Sequence, residues 1–251
     1  MLSEKPWSRE LLLLLIAGLL LSWCLGTVGA ILLEHFLPAE ALVDKSFYRF
    51  LLSTLAFHGA TLLLVHQFLK LQGMSWAEFL GLTRPRLARA LLFALMVGVL
   101  VLPMVLTLNE WSARLLNSLG TKPVLQPTIK VLQTTVGPVQ RICFGIAAIL
   151  LAPVAEESLF RGILYPYVKQ RGHPALALFG TSFLFAAFHS NLATFLPLAF
   201  FAIVLVLVYE KTDKLIAPIL THALFNAVNF FIFVFERELT RLFDRLWTNW
   251  N

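Results

Sequence analysis

Glu156 and Glu157 stand side by side in a stretch that is otherwise apolar, with Arg161 following in Glu156-Glu157-Ser-Leu-Phe-Arg161. His189 ends Phe185-Ala-Ala-Phe-His189, and His222-Ala-Leu-Phe-Asn226 sets an imidazole and an amide one helical turn apart. A charge at the centre of a bilayer costs about 2.5–3.5 kcal/mol on insertion scales, so groups like these must face protein or water. Glu157 and Arg161 are spaced i,i+4 with the acid first, the favourable helical order, and can neutralise each other. Glu156 is turned about 100° from Glu157 around the helix and has no local partner. A carboxylate so placed suits a general base: together with an imidazole it can hold and deprotonate a water. A second imidazole and an amide can donate hydrogen bonds to a developing oxyanion. The chemistry such a site would support is hydrolysis. Ser158 is turned away from Glu156 and Ser190 falls in an expected turn, so neither is read as a nucleophile beside a base.

Each residue also has a structural reading. Glu157 with Arg161 is taken as a structural ion pair. His222 and Asn226 could tie helices together. His58 and His66 are read as packing or interhelix hydrogen-bonding residues and are assigned no function. Depth is what draws four of the groups together. If Lys169, His173 and Lys214 mark one membrane surface, Glu156, His189, His222 and Asn226 lie roughly 18, 24, 12 and 18 Å deep, at a rise of about 1.5 Å per residue. Three helices thereby deliver polar groups to one central slab.

The elements that must position them are membrane helices. Of 251 residues, 59% are apolar and 14% charged, against about 45–50% and about 25% in soluble domains. No room is left for a soluble domain. The net charge of +6 is assigned to loops facing anionic headgroups, not to nucleic-acid binding. Cys24 and Cys143 stand alone in apolar stretches and read as small hydrophobes, with no disulfide framework. Uncharged runs near the roughly 20 residues a bilayer requires occur at Leu11–Leu33, Phe50–Leu69 and Ala90–Asn109. The first is too long for a signal-peptide core and is read as a retained span. Ile142–Val168 carries the acids. Pro174–Tyr209, uncharged for 36 residues, fits a hairpin of two helices turning near Ser190-Asn191, and Leu215–Phe235 closes the set. Helices satisfy their own backbone groups in lipid, so the expectation is an all-α polytopic bundle of about seven transmembrane helices.

The connection Glu110–Arg141 is expected to hold a short surface helix over Trp111–Leu119. The tail from Leu239, with Leu242, Phe243, Leu246 and Trp247 among Arg241 and Arg245, reads as an amphipathic interfacial helix. With the N-terminus inside, ten Lys and Arg residues fall on inner segments and nine on outer ones. Arg84, Arg86 and Arg89 beside the third span favour that orientation.

Together the three motifs resemble those of the CPBP family, the CAAX proteases and bacteriocin-processing enzymes. Glu156-Glu157-Ser-Leu-Phe-Arg161 matches its EExxxR, Phe185–His189 its FxxxH and His222–Asn226 its HxxxN, in the family's order and on separate helices. The resemblance covers about residues 139–235. It implies a glutamate-dependent intramembrane endopeptidase in which Glu156 and His189 activate water and His222 and Asn226 stabilise the oxyanion. Glu157 and Arg161 brace the helix and orient Glu156. The chain is expected to form a single integral membrane domain over 1–251, with N-terminal spans and loop at 1–138, a catalytic core resembling the family at 139–235 and an amphipathic tail at 236–251. The expected partners are the lipid bilayer and a peptide or membrane-protein substrate, with no nucleic acid. The expected location is a prokaryotic plasma or inner membrane. No cofactor is expected: zinc held by His189, His222 and a glutamate is the disfavoured reading, since HExxH is absent and Asn226 is a poor ligand. The rival from another class is a non-proteolytic scaffold or transporter-like protein that binds a peptide or partner in the same cavity.

Overall fold

The computed structural model describes residues 5, 7–36, 45–124, 127–134 and 137–235. Among these the chain is all helix, with nine helices and no strand. Helix α1 is Arg9–Phe36. Helix α2 joins Lys45–Thr54 to Ala60–Leu71 through a wider π-type turn at Leu55–Gly59. Short α3 is Trp76–Leu80, α4 is Leu87–Ser118 and α5 is Pro127–Thr134. Helix α6 runs over Pro138–Lys169, α7 over Leu176–Phe188, α8 over Leu192–Thr212 and α9 over Ile216–Val234. Six of these (α1, α2, α4, α6, α8 and α9) are long and apolar enough to cross a membrane. The chain is a multi-pass membrane protein.

The hairpin expected between Pro174 and Tyr209 turns where the sequence placed it, between α7 and α8. Ser190 adopts φ 49°, and Asn191 caps α8 by accepting from the Thr194 amide at 3.1 Å. The first arm, α7, is shorter than expected; at 1.5 Å per residue its length is about 20 Å against a hydrocarbon thickness of about 30 Å. It leaves His189 at its C-terminal end. The separate surface helix expected over Trp111–Leu119 is instead the end of α4, which runs unbroken to Ser118. Nothing between Asn109 and Ser118 breaks a helix. The stop comes at Gly120, φ 77°, where the Thr121 amide donates back to Leu116 O at 2.9 Å in a Schellman-type ending. The amphipathic tail lies outside the described residues.

Small residues set the closest helix crossings, as expected where no water drives helices together. On α4, Ala90, Ala94 and Gly98 are buried at four-residue spacing. There the Thr221 hydroxyl of α9 donates to Ala94 O at 3.0 Å. On α1, the Ser22 hydroxyl donates to Ala56 O of α2 at 2.6 Å, with Gly26 packed against the Ala56 side chain. At one end of the bundle, Arg84 pairs with the Asp213 carboxylate and donates to Asp213 O at 2.7 Å, clamping the α3–α4 turn onto the α8–α9 turn. Lys5 is buried beside this clamp. Its ammonium is held below the ordinary lysine range, first by burial and then by Arg84, with Asp213 opposing.

Prolines shape α6. Pro166 has no N–H for the carbonyl of Gly162, four residues back. That carbonyl instead accepts the Trp7 indole N–H at 3.1 Å, so the chain before α1 is pinned to α6. Gly162 must also be glycine for packing: a Cβ there would sit 2.3 Å from Phe79 Cζ and 3.0 Å from Leu215 Cδ2. Phe79 is fully buried and has nowhere to move. Gly162→Ala should therefore destabilise the protein by about 1–3 kcal/mol. Thermal unfolding in detergent would measure this; an unchanged midpoint would mean the α3–α6 contact is not tight.

Candidate active site

Glu156 and Glu157 leave α6 in different directions, as their neighbouring positions dictate. Glu157 and Arg161 point into the bundle and are 0% exposed. The Arg161 Nη1 donates to Glu157 Oε1 at 2.9 Å, and its Nη2 donates to Ala202 O of α8 at 3.0 Å. Its guanidinium carbon sits 4.6 Å from the centre of the Phe185 ring of α7, a cation–π contact. One buried arginine thus joins α6, α7 and α8.

Glu157 has a second partner. The His222 Nδ1 lies 2.9 Å from Glu157 Oε1. A carboxylate can only accept, so Nδ1 carries the proton and donates. Glu157 and Arg161 were expected to brace the helix and orient Glu156; Glu157 in addition holds His222. Edge-on rings of Phe185 and Phe201, with centroids 5.8 and 5.5 Å away, fix the other faces of that imidazole. Its Nε2 is left facing Glu156 Oε2 across 4.0 Å, beyond a direct hydrogen bond.

Glu156 leaves the helix on a neighbouring face, with its side chain 11% exposed. Its Oε1 accepts from His58 Nε2 of α2 at 3.0 Å, while its Oε2 is buried and makes no hydrogen bond. His58 was assigned no function from sequence; here it is the hydrogen-bond partner of the carboxylate. Nothing near Phe57-His58-Gly59 signals that contact, because the two residues are 98 positions apart. The only available hint was an ionisable residue within an apolar span. His66 keeps a packing role, accepting from the Trp76 indole at 3.1 Å.

His189, at the end of α7, donates from Nδ1 to Phe185 O at 2.9 Å. A carbonyl only accepts, so a neutral ring carries its lone pair on Nε2. The setting of Asn226 comes from the backbone of α6. Around Ala147–Leu151 the helix widens, and the Ala152 N–H donates to Ala147 O, five residues back. Pro153 has no N–H. The Ala148 carbonyl is thus left free of a helical donor, and the Asn226 amide of α9 donates to it at 2.8 Å. Truncating Asn226 to alanine should cost about 1–3 kcal/mol by orphaning that carbonyl. Pro153→Ala should loosen the same link, by returning a backbone donor to the turn. Unfolding midpoints of the two variants, alone and combined, measure the coupling; additive losses would argue against it.

Glu156, His58, His189, His222 and Asn226 all line one cavity of about 1180 Å³. Its walls are mostly apolar, from α1, α2, α4, α5, α6, α7, α8 and α9. The arrangement offers a carboxylate oxygen and an imidazole lone pair as acceptors. The Asn226 amide adds a donor, and His222 Nε2 donates only when that ring carries a second proton, since Nδ1 holds the first. Among the described residues, no three His, Cys, Asp or Glu side chains converge as metal ligands.

Residues 138–228 match the family model described as Rce1-like, Type II CAAX prenyl endopeptidase. Over 89 residues the chain is 36% identical to UPF0177 protein YaiF of Lactococcus lactis subsp. lactis (strain IL1403), covering 34% of this chain and 38% of that protein. No solved structure matches the chain.

Proposed function

We propose, from the match of residues 138–228 to Type II CAAX prenyl endopeptidases, that the chain is an intramembrane endopeptidase whose water is activated at Glu156. The observation that supports this most is the state of the Glu156 carboxylate. One oxygen is engaged by His58; the other is buried, unengaged and beside a cavity that His189, His222 and Asn226 also line. A water between Glu156 Oε2 and His222 Nε2 would lie within reach of both, since their separation is 4.0 Å. In the proposed reaction the water oxygen bonds to the peptide carbonyl carbon as its proton passes to Glu156, with His189 Nε2 as second acceptor. The oxyanion takes hydrogen bonds from the remaining Asn226 N–H and from His222 Nε2–H when that ring is protonated. Breaking of the C–N bond returns the proton to the leaving nitrogen, giving a carboxylic acid and an amine. Apolar walls suit an apolar peptide or membrane-protein segment drawn from the bilayer. The proposed setting is a cell membrane, with no metal and no nucleic acid.

The test is purified full chain in lipid nanodiscs, given internally quenched farnesylated CAAX peptides, their unprenylated counterparts and a membrane-tail peptide. Cleavage of at least one, insensitive to a chelator and abolished by Glu156→Ala in a protein that stays monodisperse, is the expected result. Undiminished cleavage by Glu156→Ala would remove the carboxylate from the chemistry. A wild type that cleaves none of the peptides, while Glu156→Ala keeps its cellular activity, would assign a scaffold role.

A further inference from the structure

We infer that His58 is a positioning residue for Glu156, an inference that rests on the proposed hydrolase reading. His58 lies on α2, outside the residues that match the family model. It adds a third imidazole to the site, from a helix that carries none of the three motifs.

The case begins with what a lone carboxylate lacks. The terminal torsion of a glutamate is broad, so nothing in the side chain fixes the plane of its two oxygens. His58 fixes it. Its Nε2 lies 3.0 Å from Glu156 Oε1, and because a carboxylate only accepts, the shared proton belongs to Nε2. With Oε1 anchored, Oε2 is held in a set direction, 4.0 Å from His222 Nε2.

His58 is itself held. It sits in the wide turn Leu55–Gly59, which lets the α2 backbone change phase beside the site. Such bulges inside helices recur at functional positions. The Thr61 hydroxyl bonds Phe57 O at 2.7 Å within that turn. The Phe57 ring packs edge-on against the imidazole at 5.1 Å and reaches Phe188 of α7 at 6.0 Å. The face of α2 with His58 also gives Ser53 and Thr54 to the cavity wall. One helix therefore both bounds the substrate space and aims the base. The histidine makes no direct contact with the proposed reacting atoms and acts through Glu156.

His58→Phe keeps a ring of similar size and removes the donor. In nanodiscs it should lower kcat about 10- to 100-fold, the cost of an unfixed group, and leave KM within about twofold. His58→Gln restores an N–H at a similar reach and should recover most of that loss, which a merely structural role would not predict. Adding His58→Phe to Glu156→Gln should cause no further loss. A readout independent of turnover is the imidazole nitrogen spectrum of the wild type: the Nε2–H resonance that disappears in His58→Phe should shift in Glu156→Ala. If His58→Phe turns over at the wild-type rate, or the resonance ignores Glu156, the inference is overturned. If instead Glu156→Gln retains activity, it is the hydrolase reading that fails.

Discussion

Glu156→Gln is expected to lower kcat by about 10²–10⁴-fold, the range supplied by a positioned general base. The substitution is nearly isosteric, and its amide oxygen can still accept from His58 Nε2, so α2 and α6 should stay joined. The site then loses only the group that takes the proton from water. KM should change little, because apolar walls make most of the cavity's contact with substrate. Steady-state cleavage in nanodiscs, with unfolding midpoints alongside, separates the two effects. A kcat within tenfold of wild type would show that Glu156 is not the base.

The second large effect concerns stability. Arg161→Leu removes the cation from a pair that is wholly buried. It also removes the donor to Ala202 O and the cation–π contact with Phe185. Glu157 is then left as a buried carboxylate with His222 as its remaining partner among the described residues. Breaking one side of a buried pair costs about 3–5 kcal/mol, chiefly for the stranded charge. Replacing both partners by apolar residues is often nearly neutral. Arg161→Leu combined with Glu157→Leu should thus recover most of the lost stability. Activity should not return with it, since His222 would have lost the carboxylate that holds its Nδ1. Unfolding in mixed micelles and cleavage assays on the same samples read both quantities. A double variant as unstable as Arg161→Leu would mean that packing, not charge, sets the cost.

Much of the fold was legible in the sequence because the bilayer imposes its own period. Uncharged runs of about 20 residues report membrane helices directly, and the break at Ser190-Asn191 marked the α7–α8 turn. The shortness of α7 and the continuation of α4 to Ser118 were less visible. Both depend on where a helix meets its neighbours rather than on any local breaker. The different directions of Glu156 and Glu157 followed from helix geometry alone, as did the pairing of Glu157 with Arg161.

What the sequence determined by itself is an all-helical membrane chain with costly polar groups at matched depth, because local spacing and burial cost are properties of short segments. What only the tertiary structure decided is which groups meet. His58 joins Glu156 across 98 residues, and His222 joins Glu157 across 65. Asn226 reaches the Ala148 carbonyl that a widened turn and Pro153 leave free. Such contacts are set by the rotation of one helix against another, which a change of turn such as those at Leu55–Gly59 and Ala147–Leu151 alters without any mark in the hydropathy pattern.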